Sequence, residues 1–277
     1  MGFLEAIILG IVQGLTEFLP VSSSGHLVIL EELFNLHDSG VIFEVSVHVG
    51  TVLSILTVYY KILGSYSQGI SHGILKKEVN HSVRLTALII VGSIPTAIIG
   101  LLLKDTFEQL FDSPLAVGIS LCITGGLLYL SKYKNSTDDK DQSFGVIDLK
   151  ISERITFVQA ALMGLAQGCA ITPGISRSGA TISAGILTGI EKNTAATFSF
   201  ILSVPAVLGA ALLQLKDLQN FQMDYLLVLG VGLISSYISG IFGLLLILKV
   251  VKKGRLEVFS YYLWIVGPLS IYFLGGR

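Results

Sequence analysis

Five stretches of this chain run for about twenty residues without a single charge: 85–103, 114–131, 193–215, 225–248 and 258–276. A helix needs about 20 apolar residues to cross a hydrocarbon core of about 30 Å. Each stretch is therefore long enough to span a bilayer. A sixth, 41–60, qualifies although it holds Glu44 and His48. Composition agrees with this reading. Lys and Arg number 18 and Asp and Glu 19, together 13% of 277 residues, about half the share in an average soluble protein. Such a chain cannot supply the charged shell of a soluble globule, and it is too apolar for disorder. A net charge of −1 leaves no basic excess to hold a nucleic acid. Cys122 and Cys169 lie far apart in apolar segments and read as small apolar filler. Residues 1–4 carry no basic cluster, so no removable signal peptide is expected. The expected class is an all-α integral membrane protein.

Two further apolar regions, 3–30 and 155–190, are broken in the middle. The first break is Pro20-Val21-Ser22-Ser23-Ser24-Gly25, and the second is Pro173-Gly174-Ile175-Ser176-Arg177-Ser178-Gly179. Each half is too short to span. Irregular backbone at membrane depth is tolerated only against protein or a water-filled cavity, so both regions read as re-entrant helix hairpins. They also match each other. At an offset of 154, Ala6, Gly10, Gln13, Gly14, Ser22, Ser24 and Gly25 meet identical residues. At an offset of 140, Val91, Gly92, Ile94, Ile98 and Gly100 do the same. The chain reads as one domain of two repeats, 1–131 and 155–277, joined by a polar linker, 132–154. Each repeat is a re-entrant hairpin plus three spans, which makes six spans and about ten helices in all.

Three spans per repeat is an odd number, so the second repeat is inverted relative to the first. Lys and Arg sort accordingly. With the N-terminus outside, fourteen of them fall in inside connections and three (Lys104, Lys216, Arg277) outside. Both termini are then outside. Inverted repeats with broken helices generally place their site near the midplane, at the repeat interface.

Four charged residues remain inside apolar segments: Glu5, Glu17, Glu44 and Arg177. An ionised group at the bilayer centre costs about 2.5–3.5 kcal/mol on insertion scales, so each needs a partner, a wet cavity or a function. Arg177 sits between Ser176 and Ser178 in the second break. It either caps loose carbonyls and pairs with Glu17, or clamps an anion with its fork of donors at a helix start. Glu17 lies one turn after Gln13 on the same helix face. It reads as a protonated structural residue, a cation ligand or a catalytic carboxylate. Ser22, Ser23 and Ser24 read as an N-cap or, beside Glu17 and His26, as a nucleophile with its base. Glu44 and His48 share a face and either line the cavity or pair at the surface; Glu5 sits near the interface.

Gln13-xxx-Glu17, running into Phe18-Leu19-Pro20-Val21-Ser22-Ser23-Ser24-Gly25-His26, resembles the first signature of the bacterial undecaprenyl-diphosphate phosphatases of the bacitracin-resistance type. Pro173-Gly174-x-Ser176-Arg177-Ser178-x-x-Thr181 resembles the second at every fixed position. The family admits Gln at position 13. The resemblance implies an enzyme of the bacterial plasma (inner) membrane that hydrolyses undecaprenyl diphosphate to the monophosphate and inorganic phosphate. That reaction recycles the lipid carrier for cell-wall synthesis and confers bacitracin resistance. It further implies a divalent cation, Mg²⁺ or Ca²⁺, held by Glu17. Ser23 would be the nucleophile and His26 the acid/base, roles the family also allows in reverse. Arg177 would hold the phosphates, with Gln13, Ser22, Ser24, Ser176, Ser178 and Thr181 binding substrate. The partners expected are a polyprenyl diphosphate and the membrane, with a homodimer as the candidate assembly. The competing reading is an inverted-repeat transporter or flippase for an anionic lipid.

Overall fold

The computed structural model describes residues 1–36, 40–111, 113–134, 149–214, 223–252 and 254–274. Among them all regular structure is helical. Twelve α-helices follow in order: α1 (Phe3–Phe18), α2 (Ser23–Leu33), α3 (Gly40–Val58), α4 (Tyr60–Lys76), α5 (His81–Leu102), α6 (Lys104–Phe111), α7 (Pro114–Ser131), α8 (Phe157–Cys169), α9 (Arg177–Leu187), α10 (Lys192–Gln214), α11 (Met223–Lys252) and α12 (Val258–Leu274). Twelve replaces the expected ten because α4 and α6 carry charges that read as connections. Inside the linker a short 3₁₀ turn, Leu149–Arg154, is helical. Residues 135–148 of the linker, and Lys216, Lys253 and Arg277, lie outside the described residues.

Both breaks form as their sequences dictate. Pro20 disfavours helix at the residue before it, and α1 closes on Leu19 in an extended conformation. Ser22 then takes a left-handed φ of 68° and caps α2, accepting from the Gly25 amide at 3.1 Å. In the second break Ser176 caps α9, accepting from the Gly179 amide at 3.0 Å. Gly174 has φ +86°, and a Cβ there would run into the Val117 carbonyl of α7. Glycine is thus required twice over, by conformation and by space.

Four helices, α5, α7, α10 and α11, are long and apolar enough to cross a membrane. The 41–60 stretch differs from its expected form. Its helix stops at Val58, and α4 leaves at 81° to it, so α3 and α4 together make at most a fifth span. The last stretch forms α12, 17 residues long, at the lower limit of about 17 for a spanning helix. Large apolar side chains face outward along these helices, among them Ile90, Leu101, Ile234, Phe242 and Ile265. A contiguous apolar exterior of this kind belongs in lipid.

Small residues set the closest crossings. Gly10 and Gly14 of α1 lie against Gly232, Ser236 and Ser239 of α11, while Gly164 of α8 lies against the Gly92 backbone of α5. A Cβ at Gly14 would meet Ser239, and one at Gly164 would meet the Gly92 carbonyl. Without a hydrophobic drive between helices in lipid, close backbone approach through small residues supplies the packing. These glycines are among the residues that match between the repeats. Each broken hairpin therefore packs on a long helix of the other half.

Candidate active site

The two breaks interlock. The Ser24 hydroxyl accepts from the Gly174 amide at 3.4 Å, and the Ser178 hydroxyl donates to the Leu19 carbonyl at 3.1 Å. Phe18 packs edge-on against Phe200 of α10, with ring centroids 5.6 Å apart. This contact seats the end of α1, and hence Glu17, beside α10.

Glu17 is the hub. Its side chain is 5% exposed. Oε2 accepts from the Gln13 amide nitrogen at 2.8 Å and from the Ser23 hydroxyl at 2.6 Å. Oε1 accepts from Arg177 Nη2, and the two side chains form an ion pair. The amide and the guanidinium can only donate through these nitrogens, so both Glu17 oxygens serve as acceptors. Arg177 also donates through Nη1 to the Ser199 carbonyl at 3.4 Å. The pairing reading and the anion-clamp reading of Arg177 are compatible. One edge of the guanidinium engages protein, and the remaining N–H groups of its five are available to an anion. Ser23 and Arg177 stand 154 positions apart, at the repeat offset, and each is the first residue of its helix. Equivalent positions in the two halves thus supply a hydroxyl and a guanidinium to one carboxylate.

The other predicted residues divide between scaffold and site wall. Ser22 and Ser176 spend their hydroxyls as caps. Ser24 lies 3.3 Å from Ser22, and Ser178 lies 3.2 Å from Ser176. Thr181 donates to the Arg177 carbonyl at 2.7 Å and pairs with the Ser199 hydroxyl at 2.5 Å, holding the start of α9 against α10. His26 points elsewhere. Its Nδ1 faces the Ser22 carbonyl at 2.7 Å and must carry the hydrogen, because a carbonyl only accepts. Nε2 then accepts from the Tyr262 hydroxyl at 2.6 Å, and the two rings lie nearly parallel. Both ring nitrogens are thus engaged away from Ser23. Glu5 accepts from the Gly2 amide at the chain start. Glu44 contributes its backbone carbonyl to His48.

His48, one of the weaker candidates in the sequence, reaches the hub. Its Nε2 lies 3.5 Å from Glu17 Oε2. Ser199, Thr124 and Tyr262 have no signal in the sequence. Thr124 of α7 accepts from the Ser176 amide at 3.0 Å and so orients the second break. All three are ordinary residues of apolar spans, and only the packing of α7, α10 and α12 brings them in.

A polytopic helical membrane protein, with a buried carboxylate, serine and guanidinium meeting where two broken hairpins interlock, is built to handle an anionic, membrane-resident ligand. The chain belongs to the bacitracin resistance protein BacA family, whose model matches residues 6–269. It is 42% identical to the undecaprenyl-diphosphatase of Desulforapulum autotrophicum, over 98% of each chain. Identity to the undecaprenyl-diphosphatase of Carboxydothermus hydrogenoformans is 43%, over 96% of this chain and 95% of the other. Identity to that of Halothermothrix orenii is 42%, over 99% of both.

Proposed function

We propose that this protein hydrolyses undecaprenyl diphosphate to undecaprenyl phosphate and inorganic phosphate in the bacterial plasma membrane. The observation that carries the reading is the Ser23–Glu17–Arg177 constellation, set in a family whose curated relatives are named for this activity. Family membership disfavours the transporter alternative.

Phosphoryl transfer rests mainly on positioning and charge stabilisation. Arg177, at the start of α9, binds the terminal phosphate, and the helix end adds partial positive charge. Binding recruits guanidinium N–H groups not spent on Glu17 and Ser199. Ser23 then attacks the terminal phosphorus. Its proton passes to Glu17, which already accepts it at 2.6 Å. The bond from phosphorus to the bridging oxygen breaks, and the lipid monophosphate leaves. Glu17 passes that proton to solvent; in a second step water hydrolyses the phosphoserine, Glu17 taking the water's proton and returning it to Ser23 Oγ as inorganic phosphate leaves. His26, positioned by Tyr262 at the site's edge, is the acid/base residue: it takes a proton from solvent on Nε2 and, in that imidazolium form, protonates the departing oxygen.

The residues suit a hard divalent cation, Mg²⁺ or Ca²⁺. Among the described residues no three His, Cys, Asp or Glu side chains cluster to hold a metal by themselves. Mg²⁺ sites often use one or two carboxylates and take their other ligands from water and substrate phosphates. Glu17 supplies the carboxylate. The Gln13 carbonyl oxygen is buried and has no hydrogen-bond partner, so an oxygen donor stands beside it. When bound, the cation neutralises charge on the diphosphate.

The finer architecture belongs to the same proposal: two inverted repeats, six spans, both termini outside and a homodimer. The reciprocal packing of α1 on α11 and of α8 on α5 supports the repeats. The test is phosphate release from a C55 diphosphate by purified protein with and without EDTA. Metal-dependent release is expected. No release from folded protein would overturn the reading.

A further inference from the structure

His48 meets Glu17 in a geometry that does not close by itself. Its Nδ1 lies 2.7 Å from the Glu44 carbonyl. That oxygen only accepts, so Nδ1 carries the hydrogen. In the neutral ring Nε2 then presents a bare lone pair, 3.5 Å from Glu17 Oε2. Two acceptors face each other, and positive charge, a proton on Nε2 or a cation shared by both atoms, is what reconciles them. A metal-bound histidine normally donates its other ring N–H to a carbonyl or carboxylate, which fixes the tautomer and aims the free nitrogen. His48 is prepared in this way by its own helix. The helix is itself held firmly: the Ser46 hydroxyl donates to the Leu229 carbonyl at 3.0 Å, and the Ser54 hydroxyl to the Tyr237 carbonyl at 2.8 Å. A second observation points to the same place. The buried, unpartnered carbonyl oxygen of Gln13 belongs to the amide that touches Glu17 Oε2.

We propose that His48 Nε2 and Glu17 Oε2 are joint ligands of the divalent cation. Their separation suits two atoms sharing one ion through bonds of about 2.0–2.2 Å. Oε1 serves Arg177, and Oε2, which also accepts from Gln13 and Ser23 in this structure, is the oxygen that faces the ion. An imidazole ligand softens an otherwise all-oxygen site. The site therefore accepts Mn²⁺ at least as well as Mg²⁺. This rests on the cation dependence proposed above and adds the ligand set and the metal preference.

The test uses the full chain in lipid nanodiscs with Mn²⁺ alone as probe, read by electron paramagnetic resonance. One bound Mn²⁺ with electron-spin-echo modulation from a single coordinated ¹⁴N is expected. His48→Gln keeps a polar side chain of similar reach. It should lose that modulation and weaken Mn²⁺ binding at least tenfold, while Glu17→Gln should remove binding. Three results would overturn the proposal. The first is bound Mn²⁺ without nitrogen modulation in the unaltered protein, which would mean a protonated His48 paired with Glu17. The second is unchanged Mn²⁺ affinity in His48→Gln. The third is no Mn²⁺ binding at all. In each case, phosphate release that EDTA abolishes and Mg²⁺ restores would leave the hydrolase reading standing. Metal-independent release would remove the cation dependence along with His48's role.

Discussion

Glu17 gathers an amide, a hydroxyl and a guanidinium, so substitutions around it should separate cleanly by role. Arg177→Ala removes the proposed anion clamp and is expected to abolish turnover while the protein still inserts and folds. Phosphate release, alongside the elution profile in detergent, checks both halves of that statement. Near-normal activity would return Arg177 to a structural role. Ser23→Ala should lose at least a hundredfold in the same assay, because among the described residues no other hydroxyl bonds Glu17; substantial residual turnover would move attack to His26 or a water. Tyr262→Phe takes away one hydrogen bond to His26 Nε2. A hydrogen bond of about 1 kcal/mol corresponds to about a fivefold fall in kcat with little change in KM. The residues on the two breaks were legible because Glu, Ser and Arg inside apolar sequence are costly and need a reason. Tyr262, Ser199 and Thr124 were not, since tyrosine, serine and threonine are common in apolar spans and nothing local marks a partner that lies from 18 to 236 residues away.

At the scale of elements, the second break depends on Gly174. Gly174→Ala must adopt a left-handed conformation and also clear the Val117 carbonyl. Strain in αL costs about 1–2 kcal/mol and overpacking about 1–3 kcal/mol. The expected outcome is a lower thermal midpoint in detergent together with reduced phosphate release, since Arg177 lies three residues on. Loss of activity without loss of stability would mean that the break shifts without unfolding. Hairpin breaks were readable because Pro20 and Gly174 are strong local breakers. The 81° bend between α3 and α4 was not, because Tyr59 and Tyr60 at the corner are neither proline nor glycine. Two tertiary contacts hold α4 on its new course: Tyr66 bonds Thr86 at 2.7 Å, and the Asn80 amide reaches the Gly69 carbonyl at 2.6 Å, tying α4 to the start of α5.

For the whole molecule, the distribution of Lys and Arg makes a topological prediction. In a background of Cys122→Ser and Cys169→Ser, Lys104→Cys should react with a membrane-impermeant maleimide on intact cells. Lys132→Cys should react only after permeabilisation. The opposite pattern would invert the orientation. The sequence by itself determined that the chain is helical and membrane-embedded, that two breaks recur, and that Glu17 and Arg177 stand as charges inside apolar sequence beside clustered serines. These follow from desolvation cost and local backbone preference, which depend on neighbours along the chain. Only the tertiary structure decided that Ser23 and Arg177 share one carboxylate, that His26 turns to Tyr262, and that His48 faces Glu17. Those outcomes depend on how glycine-lined helices cross, and a crossing is a property of two distant surfaces meeting rather than of either sequence alone.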